Sequence, residues 1–419
     1  MRAAELRAFG DLVGDAAAEI AELARGVHEA VADRMFAALG PSASPVRAAH
    51  DTIAAAAYRG ARALAGSVVR GGAFAGGLAV DDDVRSLSES GRGRALVAAL
   101  NGAWGDRMAE RGSPLALSMT VRSQRRDVGT DRPSLASAFV DATARVAVFV
   151  HGLGESDDSW RRRGVGACPP YGERLAADHG FTPLYVRYNA GLHISANGRT
   201  LAALLDELTA SWPCEVSELA LIGHSMGGLV LRSACHYGSD AGHRWPERVR
   251  SVFALGTPHT GAPLERAAHM AGYGLSLVPE ARPFARTLAA RAAGVKDLRH
   301  GYLVDEDWDG RDPDALRSPD ATEVPFLAHA DHYFVSATLS ADPGAPSGRL
   351  LGDLLVLRSS AWAQRRGRAG AERLRFELGN YRNLGSANHF DLLNHPAVYE
   401  QISRWIGGRG DLPARDQRP

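Results

Sequence analysis

Apolar residues along this chain change their spacing once, and the change divides it. Near the N-terminus Leu6, Phe9, Val13, Ala17 and Ile20 recur at steps of three and four, and Val27, Val31, Met35 and Leu39 continue the stripe. That period predicts an amphipathic helix. Gly40-Pro41-Ser42 ends it, and Ser44-Pro45 opens a second helix with Ile53, Ala57 and Leu64 on one side. The segment Gly71–Gly93 is rich in Gly, Asp and Ser and predicts a loop. Residues 1–110 read as a helical region packed on whatever follows. Docking on a membrane surface or a partner is the alternative use of its Ala- and Gly-rich faces.

From residue 115 short apolar runs alternate with helical stretches. The candidate strands are Leu115–Val121, Val146–Val150, Pro183–Tyr188, Leu219–Ile222, Val252–Leu255, Tyr333–Leu339 and Leu374–Leu378. Helical patterns cover Leu201–Thr209, Gly227–Tyr237 and Ala397–Ile406. Continuous apolar strands alternating with helices predict an α/β fold: a mostly parallel twisted sheet with helices on both faces. The stretch from Leu264 to His329 breaks this order, with a helical piece at Ala281–Ala293 and an acidic loop, Asp305-Glu306-Asp307. It predicts a cap, 264–330, inserted in a catalytic domain spanning 115–408, with a flexible polar tail at 409–419.

Composition narrows the function. A chain of 419 residues suits two domains, or one large domain with insertions. The 48 basic and 48 acidic side chains cancel, so no field favours nucleic acid and none is expected as a partner. Cys168, Cys214 and Cys235 form no C-x-x-C pair, so neither a disulfide framework nor a cysteine metal site is indicated. The Gly71–Gly77 segment lacks a Gly-Lys phosphate-binding pattern, and no metal or organic cofactor is expected. The N-terminus carries Glu5, Asp11 and Asp15 where a secretory leader would be apolar. Ala63–Val80, diluted by Arg70, falls short of the ~20 strongly apolar residues of a membrane span. A cytoplasmic protein is expected, with membrane association limited to surface contact by the N-terminal helices.

The strongest chemical signal runs from Leu219 to Val230. An apolar strand enters Gly223-His224-Ser225-Met226-Gly227, and an apolar helix leaves it. A serine hydroxyl becomes a useful nucleophile when a sharp strand-to-helix turn lifts it beside a base. Gly223 and Gly227 stand where a β-carbon would crowd that turn, and the helix start supplies backbone N–H groups for a developing oxyanion. A second strand, Val146–Val150, ends in His151-Gly152-Leu153-Gly154. Its turn lies at the sheet edge where such folds bind ligands. The N–H groups of Leu153 and Met226 are the expected oxyanion donors. His151, His224 and His259 are the candidate substrate-side residues, although His151 also reads as a structural histidine that fixes its loop.

The base should follow the nucleophile and the acid in the chain. His389, in Gly385-Ser386-Ala387-Asn388-His389 before the last helix, occupies that place. His395 and His259 are the weaker candidates. The acid belongs after the strand Tyr333–Leu339, where Asp353 is preferred over Asp342 and Asp331. Asp342 precedes Pro343-Gly344 and reads as a turn residue.

These motifs carry a resemblance. Gly-His-Ser-Met-Gly-Gly-Leu-Val at 223–230, Leu-Gly-Thr-Pro-His-Thr-Gly-Ala-Pro-Leu at 255–264, and Gly352-Asp353 with Val356 and then Ser360-Ala361 resemble the serine lipase and GPI inositol-deacylase-like branch of the α/β-hydrolase superfamily. Leu354 stands where that branch often has a second glycine. The resemblance covers about 140 to 406 and leaves the first 110 residues unmatched. It implies ester hydrolysis through a covalent acyl-enzyme, with Ser225, Asp353 and His389 as nucleophile, acid and base. Serine at the elbow argues against the dehalogenase and epoxide-hydrolase chemistries, which use aspartate there. Small-molecule or lipid esters are the expected substrates, with Leu275, Leu277, Val278 and Phe284 of the cap as candidates to line an apolar channel. An acyltransferase using the same three residues, or a catalytically inert binding scaffold, is the alternative.

Overall fold

Strand β3 (Arg145–Val150) shows why the central sheet is covered on both sides. Its side chains alternate between faces, and residues 146–150 are all buried. Val146, Val148 and Val150 enter one apolar cluster, while Ala147 and Phe149 enter another. The first cluster lies under α6 (Ile194–Ser211) and α7 (Met226–Asp240), with Leu201, Leu205, Leu229 and Val230 in it. The second lies under α5 (Tyr171–His179) and the last helix, α9 (Pro396–Gly407), through Tyr171, Leu175, Tyr399 and Ile402. A run with polar residues on one face could not fill both clusters.

The computed structural model describes residues 1–40, 43–78, 86–162, 164–262, 275, 278–283, 290–312, 315, 321–340 and 380–408. With β1 (Thr120–Ser123), β2 (Arg126–Val128), β4 (Thr182–Arg187), β5 (Glu218–His224), β6 (Val249–Leu255), β7 (Asp331–Thr338) and β8 (Tyr381–Gly385), the described strands form an eight-stranded sheet ordered β2-β1-β4-β3-β5-β6-β7-β8. The β2–β1 and β1–β4 pairs are antiparallel and the pairs from β4 to β8 are parallel. This is the α/β-hydrolase architecture expected from the sequence. Its strand order reverses at β3, which pairs with β4 on one side and β5 on the other. The carboxyl ends of β3 and β5 are therefore the natural ligand rim.

Several local expectations are corrected. Leu115 does not pair in the sheet: it is buried with Ala8, Val97 and Met108, and β1 begins only at Thr120. Much of the expected Gly71–Gly93 loop is helical. The second helix, α2 (Ser44–Leu78), runs through Gly71–Gly77, and α3 (Gly91–Glu110) starts just beyond. The last turns of α2 keep packing along α1 (Ala3–Leu39), and Arg70 reaches both Asp11 (3.6 Å) and Asp15. At Gly76 and Gly77 an added β-carbon would meet the side chains of Leu6 (3.2 Å) and Arg7 (3.1 Å), so these glycines sit where α1 and α2 approach closely despite a helix penalty of ~1 kcal/mol each. The predicted strand Leu374–Leu378 lies outside the described residues, and the strand before the base segment is β8.

The cap region is described only in part. Its helix α8 (Ala293–His300) begins where the predicted piece ends. Asp106 on α3 accepts the Ala293 N–H (2.9 Å), and Asp297 accepts the Ile194 N–H at the start of α6 (2.9 Å). Leu277 and Phe284 lie outside the described residues, and Val278 is exposed. Among the described residues no helix is long and apolar enough to cross a membrane.

Burial and the nearby Arg232 push the His332 imidazole on β7 down to about 4. Between that value and the ordinary ~6.5 the unfolded chain binds a proton that the folded chain does not, so stability falls as pH falls through this window. His259, seated between Phe326 and Phe334, is driven in the same direction by burial, Arg232 and His332. Thermal melts from pH 7 to about pH 4 should show a progressive loss. The His332→Gln variant should recover on the order of 2 kcal/mol of it at the acid end, allowing for partial exposure.

Candidate active site

The elbow forms because a buried strand must turn at once into a buried helix. From Leu219 to Leu231 every residue is buried except Ser225, which is partly exposed. Its backbone sits at φ 52, ψ −122, a region that costs a non-glycine residue about 1–3 kcal/mol. The turn is over-determined by its surroundings. Ser225 N–H donates to the Leu255 carbonyl (2.8 Å), and Gly228 N–H donates to the Ser225 carbonyl (3.1 Å). A β-carbon on Gly227 would lie 2.2 Å from the Val150 oxygen, and one on Gly223 would lie 2.5 Å from Gly228 N. Only glycine lets α7 start against the end of β3. The first amides of α7 have no partner within the helix and point to the same rim.

The turn after β3 abuts the elbow: a β-carbon on Gly152 would be 3.1 Å from Ser225 Cβ. His151 is fully buried, and its ring stacks on Tyr188 at 4.3 Å. Its Nδ1–H donates to the Gly152 carbonyl (2.9 Å), its Nε2 accepts the Tyr188 N–H (3.3 Å), and its carbonyl accepts the Tyr188 hydroxyl (2.8 Å). Those bonds require the neutral tautomer, and burial pushes the ring's pKa down. The Gly152 carbonyl belongs to the peptide that carries Leu153 N–H. In a trans peptide the two groups point oppositely, so His151 aims that N–H away from itself. His151 is a fixture of the turn rather than a wall of the cleft.

The segment of the expected base, His389 (the base segment), follows β8. Ala387 N–H bonds Thr338 of β7 (3.0 Å), and the Asn388 side chain caps the 3₁₀ turn His389–Leu392. His389 is buried, its ring 4.7 Å from that of His224. Gly256 (φ 62) follows Leu255, the residue that holds the Ser225 amide, and a β-carbon there would meet His389 Cε1 at 2.9 Å. The carboxyl ends of β3, β5, β6 and β8 thus bring Ser225, the Gly152–Leu153 turn and His389 into one neighbourhood. Asn394, buried at φ 56, locks the segment from behind. Its amide donates to the Trp160 (3.1 Å) and Arg162 (2.7 Å) carbonyls, and its oxygen accepts the Tyr171 N–H (2.8 Å).

The other sequence candidates fall elsewhere. Asp353 and Asp342 lie outside the described residues. Asp331 pairs with Ser251 at the amino end of its strand, far from the rim. His395 caps α9, its Nδ1 accepting the Ala397 N–H (3.2 Å). His259 is buried among aromatic rings behind β6, and His224 is fully buried beside Glu155. Glu155 is the residue that sequence reading missed, because nothing in Gly-Leu-Gly-Glu separates a buried carboxylate from a solvated one. A cavity of about 480 Å³ opens beside the turn, between Ala95 and Ala98 of α3, Gly154 and Glu155, and Phe390 and Leu393. Among the described residues no group of His, Cys, Asp and Glu side chains is arranged to hold a metal.

The model of the PGAP1-like alpha/beta domain matches residues 141–274, from the approach to β3 through the elbow and past β6. Among solved structures the chain is similar to the mature Bacillus licheniformis lipase BlEst2, with 20% identity over 62% of this chain and 91% of that one and a TM-score of 0.39. A lipase-esterase related protein from Clostridium acetobutylicum gives 13% identity, 64% and 95% coverage and a TM-score of 0.34. Aspergillus fumigatus lipase B gives 10%, 67% and 54%, and 0.36. No curated protein matches.

The Asn394 hub makes a clear expectation. Asn394→Ala strips the hydrogen bonds that tie the base segment to α5 and the Trp160 loop. It should lower the unfolding free energy by about 3 kcal/mol, read from the urea midpoint. An unchanged midpoint would show that the segment is held by apolar packing alone.

Proposed function

We propose, from the match of residues 141–274 to the PGAP1-like alpha/beta domain model and from the geometry of the elbow, that this chain is a serine carboxylic-ester hydrolase acting on acyl or lipid esters. The observation that carries the reading is the strained, partly exposed Ser225 in an otherwise buried strand–turn–helix, with His389 and the Gly152–Leu153 turn beside it.

In this mechanism His389 takes the Ser225 proton and the alkoxide attacks the ester carbonyl. The N–H groups of Leu153 and Met226 receive the oxyanion, the first aimed by His151 and the second by the start of α7. Collapse of the tetrahedral species breaks the bond to the leaving alcohol, which takes the proton from the His389 imidazolium. Water, deprotonated by His389, then attacks the acyl-Ser225 ester, and the serine leaves with the proton. Asp353, with Asp342 as the alternative, is the acid that orients the imidazole and stabilises its cation. The cavity beside Phe390 and Leu393 accommodates the acyl or alcohol portion of the substrate.

Ser225→Ala and His389→Ala should each lower kcat on p-nitrophenyl butyrate by roughly 10⁴- to 10⁶-fold. A fluorophosphonate probe should label the wild-type chain at Ser225 and leave Ser225→Ala unlabelled. Full activity in the Ser225→Ala chain overturns the mechanism. Rates across p-nitrophenyl esters from acetate to palmitate test the substrate class, a preference for long chains supporting lipid esters and a short-chain bias excluding them.

A further inference from the structure

Beside the cleft, the mechanism leaves the buried carboxylate of Glu155 without a task. Glu155 follows the Gly152–Gly154 turn, and only 8% of its side chain is exposed. Its Oε2 accepts the Gly152 N–H (3.0 Å), and its Oε1 lies 2.8 Å from Nδ1 of His224. His224, the last residue of β5 and the neighbour of Ser225, is fully buried. Its Nε2 donates to the backbone carbonyl of His389 (3.2 Å). One carboxylate and one imidazole therefore bridge the turn after β3, the elbow and the base segment.

Counting protons decides the charge. A backbone carbonyl can only accept, so Nε2 of His224 carries a hydrogen. A carboxylate also only accepts, and a bare Nδ1 lone pair 2.8 Å from it would be repelled, so one of the two groups carries a proton, although the contact has the distance of an ion pair and not the angle of a hydrogen bond. Burial pushes the Glu155 carboxyl up, but His224 together with the Gly152 amide and His151 outweighs it and holds the group below the ordinary carboxylate range. The proton therefore stays on the ring. The titratable groups facing that ring among the described residues are Glu155 and His389, with His151 behind Glu155; the rings of Trp160 and Phe390 lie 6.3 Å away.

We infer that His224 is a standing imidazolium clasped by Glu155, and that this pair positions the oxyanion turn and the base segment around Ser225. The pair leaves no net charge beside the developing oxyanion, while its bonds fix the Gly152 amide on one side and the His389 main chain on the other. The charge state stands on the 2.8 Å contact together with the lowered Glu155 carboxyl, and its catalytic consequence rests on the ester-hydrolase reading.

The test is a long-range ¹H–¹⁵N spectrum of the imidazoles in the full-length, uniformly labelled chain. The His224 signals are assigned by their loss in His224→Gln. Both His224 ring nitrogens should keep imidazolium shifts from about pH 5 to about pH 9, whereas an unclasped histidine converts near ~6.5. A neutral His224 at pH 7 overturns the inference, and this spectrum needs no variant other than the assignment control. Glu155→Gln, shown folded by its melting curve, should return His224 to ordinary titration. It should also lower kcat on p-nitrophenyl butyrate by roughly 10- to 100-fold with KM nearly unchanged, and Glu155→Asp should recover part of the loss. An unchanged kcat in folded Glu155→Gln overturns the positioning role. Fluorophosphonate labelling separates the two ideas: a labelled chain with neutral His224 sinks the clasp alone, and an unlabelled chain with imidazolium His224 sinks the hydrolase reading alone.

Discussion

The start of α7 runs so close to the end of β3 that a single methylene at Gly227 would collide with the Val150 carbonyl. The rim follows from that contact. To make the approach, the chain must reverse within one residue, and Ser225 takes a backbone conformation that an L-residue rarely adopts. The strain persists because Leu219–His224 before it and Met226–Leu231 after it are buried in the two clusters that flank the sheet. Relaxing the turn would pull one of those segments out of the core, at far greater cost than the ~1–3 kcal/mol stored in the turn.

Around this point the rim is built from polar groups rather than apolar packing. The turn after β3 is held by His151 and Glu155, and the base segment by Asn388 and Asn394. Each is a side chain bonded to backbone, which suits loops that cannot satisfy their own amides and carbonyls. Such bonds fix direction as well as distance. They allow the peptide of Leu153 to be aimed and the His389 ring to be set against Gly256 just beyond the strand ends.

The N-terminal hairpin is stabilised differently. Its ion pairs, such as Arg25–Glu29 and Arg47–Asp33, are largely exposed and contribute at most about 1 kcal/mol each. Its small residues let α1 and α2 pack closely along their length, and Ala8 joins the cluster that includes Val97 and Met108 near α3. Arg107 of α3 bonds Glu19 of α1 (3.0 Å) and the Ala290 carbonyl (2.8 Å), linking hairpin, α3 and cap region. Along its outer side α2 presents Ile53, Leu64 and Val68, each more than 60% exposed. The PGAP1-like match begins at residue 141, after the hairpin and after β1 and β2 of the sheet.

Local patterning determined a good deal of this protein. Continuous apolar runs such as Val146–Val150 and Leu219–Ile222, alternating with helical patterns, read as strands buried on both faces, and Gly-x-Ser-x-Gly between strand and helix reads as a tight elbow. Both follow from sterics within a few residues, so they were legible in order. The tertiary structure decided the rest. Leu115 looks like a strand residue until α1 and α3 claim it, and Gly71–Gly77 looks like a loop until α1 supplies a surface to pack on. The pairing of Glu155 with His224 joins residues that lie in separate motifs, and His151 differs from a catalytic base only through Tyr188 and the Gly152 carbonyl. Whether a charged side chain is buried, and which partner neutralises it, depends on contacts between distant segments. Composition and spacing do not encode those contacts, because the same residues in solvent would obey the same local rules.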